Sequence, residues 1–243
     1  YEVYRAGTRN GSYKLLGTTD KLSYTDNTAS TGYIYFYKVV AVSKVRTSAN
    51  SEASTVISAV SRCAQTVAKS SFNSTTGKPV ISWTAVSGAK KYEVYRAGTR
   101  NGSYKLLGTT DKLSYTDNTA SAGYTYFYKV VAVSKVRAAA NSEASAVISA
   151  VSHCAKPAVT ASFNSKGQPH LQWTAVPGAA RYEIYRATSK DGEYKLMYSV
   201  KGTSYSNTSA KSGKTYYYKV KAVSKVRSNA DSAFSAVMRV TAK

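Results

Sequence analysis

A short basic motif, Ser-Lys-Val-Arg, occurs three times in the chain, at residues 43–46, 134–137 and 224–227. Paired cations at a recurring position can bind anionic groups of a glycan, a polyphosphate or an acidic protein. The candidate ligand-binding residues are therefore Lys44, Arg46, Lys135, Arg137, Lys225 and Arg227. The alternative is that the valine of each motif pins its loop while the cations only face water.

Groups suited to catalysis or metal binding are sparse. The chain has 12 acidic residues and two histidines, and neither His153 nor His170 recurs in the repeats of the sequence. No metal-ligand spacing, phosphate-binding glycine loop or Gly-x-Ser-x-Gly motif occurs. We therefore expect a protein that is not an enzyme and has no cofactor or metal.

Two cysteines, Cys63 and Cys154, occupy equivalent positions 91 residues apart. In domains stacked end to end their sulfurs would lie about 30 Å or more apart, too far for a bond within the chain. Either each is a small apolar residue buried at a domain junction, or its thiol is available for pairing between chains. The buried interpretation is favoured, because free cysteine is commonly buried and extracellular proteins usually avoid reactive thiols.

The elements that position these groups are set by an internal repeat. Residues 1–63 match residues 92–154 with six differences, and a more diverged copy starts at Tyr182. Offsets of 91 and 90 residues indicate whole small domains in tandem. We predict units at 1–62, 63–153 and 154–243, of which the first lacks its first two strands and its tryptophan. We expect residues preceding the first unit to supply those strands, or, as the alternative, a partner chain.

Each complete unit alternates apolar and polar residues over short stretches that are rich in Val, Thr and Tyr and separated by turns. In the third unit this pattern predicts seven strands, at residues 158–163, 169–176, 181–186, 194–200, 204–207, 215–224 and 233–241. Seven strands in a unit of this size are typical of a two-sheet β-sandwich.

Several ordered positions of this pattern resemble one known family. They are the Trp of the second strand, the third strand Tyr-x-Val/Ile-Tyr-Arg, the Gly followed by Tyr-x-Tyr-x-Val-x-Ala-Val, and the Ser-rich last strand. Together they resemble fibronectin type III domains, in particular the Tyr- and Lys-rich domains of Gram-positive surface and secreted proteins. The resemblance implies an all-β fold of tandem immunoglobulin-like, seven-stranded sandwiches. It also implies structural roles for corner tyrosines and core tryptophans, at Tyr35, Tyr126, Tyr216, Trp83 and Trp173.

Strand alternation predicts a second candidate ligand-binding surface on the outer face of the sheet. Phe127 and Lys129 should point outward beside Tyr95, and Tyr217 and Lys219 should do so in the third unit. Exposed aromatic residues beside cations form a plausible docking face. The same residues are also what strand propensity and cross-strand packing select.

Composition and charge narrow the function. With 43% hydrophobic and 19% charged residues, disordered and collagen-like classes are excluded. The net charge of +22 rises from +4 in the first unit to +11 in the third. It favours a host protein or an anionic cell-wall or host glycan as partner, whereas nucleic acid is not expected because no nucleic-acid motif accompanies the charge. No apolar run is long enough for a membrane span.

Together these features predict a monomeric, non-catalytic spacer or stalk of an extracellular bacterial surface or secreted protein. Two alternatives stay open. The chain could be an adhesin that binds through its basic loops or its Tyr/Phe/Lys face, or an accessory region of a carbohydrate-active enzyme.

Overall fold

The computed structural model describes all residues, 1–243, and confirms the all-β class. Its regular elements are β-strands and three short 3₁₀ helices, Thr47–Ala49, Ala138–Ala140 and Ser228–Ala230. No helix has the length and apolarity that crossing a membrane requires.

The first unit is a single sheet. Its strands are β1 (Glu2–Ala6), β2 (Lys14–Thr18), β3 (Ile34–Val40) and β4 (Ile57–Val60), in the spatial order β2-β1-β3-β4. Among its hydrophobic residues only Val3 and Ala6 are buried. This unit therefore has a sheet but no second layer to enclose a core.

The second unit is a complete sandwich. Its strands are β5 (Ala68–Phe72), β6 (Pro79–Trp83), β7 (Ala89–Ala97), β8 (Lys105–Thr110), β9 (Ser114–Thr116), β10 (Thr125–Ser134) and β11 (Ile148–Val151). A three-stranded sheet, β5-β6-β9, lies over a four-stranded sheet, β11-β10-β7-β8. The core forms between them from Ile81, Trp83, Val94, Tyr128 and Val130 with their neighbours.

The third unit repeats this architecture with seven strands. They are β12 (Val159–Phe163), β13 (Pro169–Trp173), β14 (Ala179–Ala187), β15 (Lys195–Val200), β16 (Ser204–Ser206), β17 (Thr215–Ser224) and β18 (Met238–Thr241). The sheet orders are β12-β13-β16 and β15-β14-β17-β18, and the core contains Leu171, Trp173, Ile184, Tyr218 and Val220. Seven antiparallel strands in two sheets confirm the predicted sandwich.

The alternation along the sixth strand of a unit explains why these residues form a two-layer structure. In β10 the side chains of Tyr128, Val130 and Ala132 are buried, whereas Lys129 and Val131 remain partly exposed on the other face. One face of the strand therefore supplies the core and the other faces solvent.

The predicted bounds of three strands in the third unit were wrong. The second strand ends at Trp173 rather than 176, the third runs over Ala179–Ala187, and the last starts only at Met238 instead of 233. Before β18, the hydroxyls of Ser232 and Ser235 accept hydrogen bonds from the N–H groups of Ala222 and Val220. Two serines spaced three residues apart therefore bind this segment to β17 through their hydroxyls. A regular β-ladder, in which every second residue pairs, does not form there.

Candidate functional site

Two of the three Ser-Lys-Val-Arg loops, at residues 134–137 and 224–227, lie at the junctions between units. At the first junction Gly32 has φ +98, and a Cβ added there would lie 2.5 Å from Val136 Cγ2. At the second junction Gly123 has φ +93, and an added Cβ would lie 2.6 Å from Val226 Cβ. Glycine is required at this corner for two reasons, the left-handed backbone and the close approach of the valine.

The same corner is contacted from its other side by a turn of the following unit. A Cβ added to Gly88 would lie 2.8 Å from Thr31 Cγ2, and one added to Gly178 would lie 2.8 Å from Ala122 Cβ. The corner of one unit is thus held between a glycine turn and a valine loop of the next. We call this arrangement the corner clamp.

Hydrogen bonds fix the shape of the valine loop. Ser134 Oγ accepts a hydrogen bond from the Val136 N–H at 3.1 Å, and the Ser134 N–H donates to Asn141 Oδ1 at 2.9 Å. The Lys135 N–H donates to the Gly88 carbonyl at 3.1 Å, which ties the loop to the turn of the clamp. These hydrogen bonds therefore fix the backbone of the loop that carries Val136.

All six candidate cations of these loops are exposed. Arg227 Nη1 donates a hydrogen bond to Thr125 Oγ1 of the preceding unit at 2.8 Å, and the first junction has Ile34 in place of that threonine. Lys225 borders a cleft of about 470 Å³ between the second and third units, lined also by Lys78, Tyr124 and His153. The structure does not bring the six cations together, because each loop belongs to a different unit.

The outer sheet face has its own internal contacts. Lys129 lies opposite Tyr95 in the ladder, and its Nζ lies 4.4 Å from the ring centroid of Tyr104. Tyr95 donates its hydroxyl hydrogen to Glu93 Oε2 at 2.7 Å. Phe127 is partly exposed beside them. The cation of this face is thus held over a ring of its own unit.

The third unit repeats this arrangement. Lys219 Nζ lies 3.9 Å from the ring centroid of Tyr194, and Tyr217 is partly exposed on the same strand. The sequence prediction did not include Tyr104 or Tyr194. A tyrosine stands immediately before β8 and before β15. This repeated position was the sequence signal that could have indicated Tyr104 and Tyr194.

A buried Arg–Asp–Tyr network was also missed. Asp117 is fully buried, and its Oδ2 accepts hydrogen bonds from Arg96 Nη1 and the Tyr128 hydroxyl, both at 2.8 Å. The N–H and hydroxyl of Thr119 donate to Oδ1. Burial raises the pKa of Asp117, but these hydrogen bonds outweigh it and hold the pKa below its ordinary value. The carboxylate is fully engaged by structural donors.

The network differs between the units. In the first, Arg5 and Tyr37 bind Asp26, and hydrogen bonds from Thr28, Arg5 and Tyr37 outweigh burial to lower the pKa of Asp26 to about 2. In the third, Asn207 stands in this place, and its Nδ2 donates to the Tyr218 hydroxyl at 2.7 Å. An aspartate present in two copies and an asparagine in the third was the available sequence signal.

The tyrosines and tryptophans to which the resemblance assigned structural roles make the following contacts. The hydroxyls of Tyr35, Tyr126 and Tyr216 accept hydrogen bonds from backbone N–H groups five residues upstream, at 3.1 to 3.2 Å. Trp83 and Trp173 are buried, each with its ring centroid 5.3 Å from that of a core tyrosine.

The remaining reactive side chains are held in structural contacts. Cys63 and Cys154 are buried and unpaired, and burial raises the pKa of both thiols. The His153 ring stacks on Phe72 with centroids 3.9 Å apart, and His170 Nδ1 lies 2.8 Å from Ser206 Oγ. No three His, Cys, Asp or Glu side chains converge in a metal-binding arrangement.

The sheet orders decide the fold of the complete units, since a three-stranded sheet of strands one, two and five covers a four-stranded sheet of the others. The fold is that of the fibronectin type III domain. No protein-family model matches the chain.

Known proteins are similar to this fibronectin type III-like chain. Exoglucanase B of Cellulomonas fimi is 29% identical over 273 aligned positions, which cover the whole chain but only 23% of that enzyme. An Fn3-like protein from Clostridium thermocellum is 32% identical over 36% of this chain and 92% of its own, with a TM-score of 0.33. A two-domain fibronectin type III segment of chicken tenascin is 15% identical over 72% of this chain and 98% of its own, with a TM-score of 0.44.

Proposed function

We propose that the chain is a non-catalytic spacer that holds the modules on either side of it, in an extracellular bacterial protein, at restricted relative orientations. The observation that carries this proposal is the corner clamp, which occurs at both junctions with the same two glycines and the same valine. A valine packed on a glycine corner resists rotation of one unit against the next, because any swing drives the two into overlap or opens a gap.

The similarity to Exoglucanase B supports a more specific context. Because the chain covers 23% of that enzyme, we propose as a second candidate that it is an accessory region of a carbohydrate-active enzyme. Such a region would space a catalytic module from another part of the protein. This candidate shares the spacer mechanism and differs only in the modules that are held.

The spacer proposal is tested by the tumbling of the second and third units in solution. We expect ¹⁵N relaxation of the full chain to give one rotational correlation time for both units. Val226→Asp, which puts a charged carboxylate against the Gly123 corner, should give them separate and shorter correlation times. Val45→Asp is the matched control, because Val45 of the same loop in the first unit is 89% exposed in the structure, against 41% for Val226.

Independent tumbling of the two units in the unmodified chain would contradict the proposal. The adhesin alternative has its own test, a glycan array with the chain and with a variant in which Lys135, Arg137, Lys225 and Arg227 are changed to Ala. Saturable binding of one glycan that the variant loses would favour the adhesin. Binding of every polyanion with steep salt dependence would reflect charge alone.

A further inference from the structure

The cleft between the second and third units is built from parts of both. Its walls are the corner at residues 119–124, the linker at 153–155 and the turn at 177–178. Lys78 contributes from the second unit and Lys225 from the third. Its volume of about 470 Å³ lies in the range of pockets that bind small molecules. We call it the junction cleft.

The junction cleft carries positive charge that the chain does not neutralise. No acidic side chain lines it, and none of the six ion pairs of the chain includes either of its lysines. Asp117 and Asp231 hydrogen-bond to residues of its wall, but their carboxylates already pair with Arg96 at 2.8 Å and with Lys221 at 3.0 Å. The two lysines of the cleft are therefore free to attract an anion.

Both lysines are held in position before any ligand arrives. Lys78 is half-buried, and its Nζ donates a hydrogen bond to the Ala120 carbonyl at 2.6 Å. This neutral acceptor uses one of the three N–H donors of the ammonium group and leaves the others for a ligand. The Lys225 N–H donates to the Gly178 carbonyl at 3.0 Å, which fixes its backbone at the rim. Such ordering lowers the entropy that binding would cost.

Uncharged groups of the wall also have unused hydrogen-bonding capacity. The hydroxyls of Tyr124 and Ser121 make no hydrogen bond within the chain, and Tyr124 is 53% exposed. The His153 ring uses Nδ1 toward the Asp231 carbonyl and leaves Nε2 without a partner. A ligand rich in hydroxyls can bind to such groups, and the tyrosine ring offers an apolar surface to one face of a sugar ring.

The shape of the junction cleft disfavours a peptide as its ligand. Extended peptides add to the edge of a sheet, and helical peptides fill an apolar groove. The corner, linker and turn that form this cleft contain no strand, and no Val, Leu or Ile side chain lines it. The cleft therefore offers neither a sheet edge nor an apolar groove.

The first junction differs in its charges. Its linker has Arg62 where the second linker has His153, and Arg62 Nη1 pairs with Glu143 Oε1 at 2.6 Å. The third unit has Ala233 in place of Glu143. An acidic side chain thus lies beside the first junction and would repel an anion there. We therefore expect one binding site per chain.

We infer that the junction cleft binds a short acidic saccharide, with its carboxylate or sulfate at Lys78 and Lys225 and a sugar ring against Tyr124. Of the six loop cations only Lys225 takes part, and the other contacts come from outside the Ser-Lys-Val-Arg motif. One ligand contacts two units, so its binding favours the orientation in which they form the cleft. The inference goes beyond the spacer function but rests on it, because the cleft requires that orientation.

The test titrates the full ¹⁵N-labelled chain with digalacturonate and follows the amide chemical shifts. Saturable shifts are expected at residues 119–124 and 177–178, with one ligand per chain. A sulfated galactose disaccharide shows whether sulfate can replace the carboxylate. Uncharged digalactose should bind at least about tenfold more weakly, because it lacks the charge-assisted hydrogen bonds. A peptide of four glutamates should also bind more weakly than digalacturonate.

Two variants and one control locate the site. Lys78→Gln and Lys225→Gln should each weaken binding about tenfold, because each removes one charge from the cleft. In Lys78→Gln the Ala120 carbonyl keeps the Ser152 hydroxyl as a donor at 3.4 Å, so the corner stays hydrogen-bonded. Lys135→Gln is the matched control, since Lys135 has the same place in the loop of the second unit. It should leave binding within about twofold.

Four outcomes would overturn the inference. They are the absence of saturable shifts with both acidic disaccharides, equally tight binding of digalactose, unchanged binding in the two cleft variants, and equally tight binding of the glutamate peptide. If the second and third units tumble together and no acidic disaccharide binds, only this inference fails. If they tumble independently with and without the disaccharide, the spacer proposal fails too.

Discussion

The first and second units have nearly the same sequence over residues 1–63 and 92–154 but only one of them has a core. Val130 and Ala132 of the second unit are fully buried, whereas their counterpart Val39 is half-buried and their counterpart Ala41 is exposed. The shared residues therefore suffice for the four-stranded sheet and its register. Enclosure of a core depends on the strand pair β5–β6, which lies outside the shared stretch.

The presence or absence of the strand pair β5–β6 also changes the extent of the strands in the two units. The strand β9 (Ser114–Thr116) forms against β6 in the second unit, and the counterpart residues 23–25 form no strand. The sixth strand covers Thr125–Ser134 where Ala89 and Lys91 pair with its end, but only Ile34–Val40 in the first unit. An identical sequence is a strand only where a neighbouring strand takes its hydrogen bonds.

The largest effect should come from making the second unit resemble the first. Ile81→Asp would bury an unpaired carboxylate at a fully buried position, which should cost about 4 kcal/mol or more. Hydrogen exchange should show residues 92–153 losing protection while the third unit keeps its own. Ser82→Asp, on the opposite face of β6, is the control and should leave exchange nearly unchanged. Full protection of 92–153 in Ile81→Asp would contradict the dependence of the core on β6.

The buried network should make the second unit more sensitive to acid than the third. Because the pKa of Asp117 is lowered in the folded state, its contribution is present above the unfolded pKa of about 3.9 and is lost as the pH falls below that value. Asp117→Asn should cost about 2 kcal/mol at neutral pH and flatten the acid sensitivity. Calorimetric unfolding at several pH values measures both.

The reverse substitution in the third unit, Asn207→Asp, is the control for the predicted acid sensitivity. Arg186 lies near this position and could pair with the new carboxylate, as Arg96 pairs with Asp117. The third unit should then become acid-sensitive. Equal pH dependence of the two units in the unmodified chain would show that Asp117 does not control the difference.

A smaller effect is expected from removing a serine hydroxyl, and it should be larger in the second unit, where the bonded N–H is buried, than in the first. Ser145 Oγ accepts a hydrogen bond from the buried Val130 N–H, and Ser54 Oγ accepts one from the more exposed Val39 N–H, both at 3.0 Å. Ser145→Ala should cost about 1 kcal/mol, and exchange of the Val130 amide should rise about fivefold. Ser54→Ala should change exchange at Val39 by less than about twofold, because water replaces the hydroxyl. Equal effects would mean that the first unit is covered in solution.

The smallest effect should be the same in both units. Lys38 Nζ lies 4.5 Å from the Tyr13 ring centroid and Lys129 Nζ lies 4.4 Å from that of Tyr104, on the outer face that no strand pair covers. Lys38→Ala and Lys129→Ala should each cost about 0.5 kcal/mol, measured by amide exchange in β3 and β10. A clear difference between them would show that the strand pair also influences the outer face.

Features that depend on local pattern could be predicted from the sequence. Alternation in Thr215–Ser224 and the turn at Pro177 and Gly178 determine strand and hairpin positions, so the sandwich followed from them. The early end of the last strand could not be predicted, because the serine hydrogen bonds depend on how Ser232 and Ser235 lie against β17.

The candidate site was predicted less well. The loop cations were selected for their charge, and the alternative assigned the valines to their own loop. The contact of Val226 with Gly123 joins residues of two units, and no pattern within one repeat indicates it. The role of Asp117 could not be predicted, because the meeting of Arg96 and Tyr128 at one carboxylate requires the folded register.

The two buried cysteines allow local opening of the second and third units to be measured by alkylation. Each thiol lies next to the segment that enters its unit, where the N–H of Cys63 binds the Ala140 carbonyl and that of Cys154 binds the Ala230 carbonyl. A thiol reagent can reach either sulfur only after that segment detaches, so each alkylation rate measures the opening equilibrium of one strand edge. The two rates would then compare how often the second and third units release their first segment, without any added label.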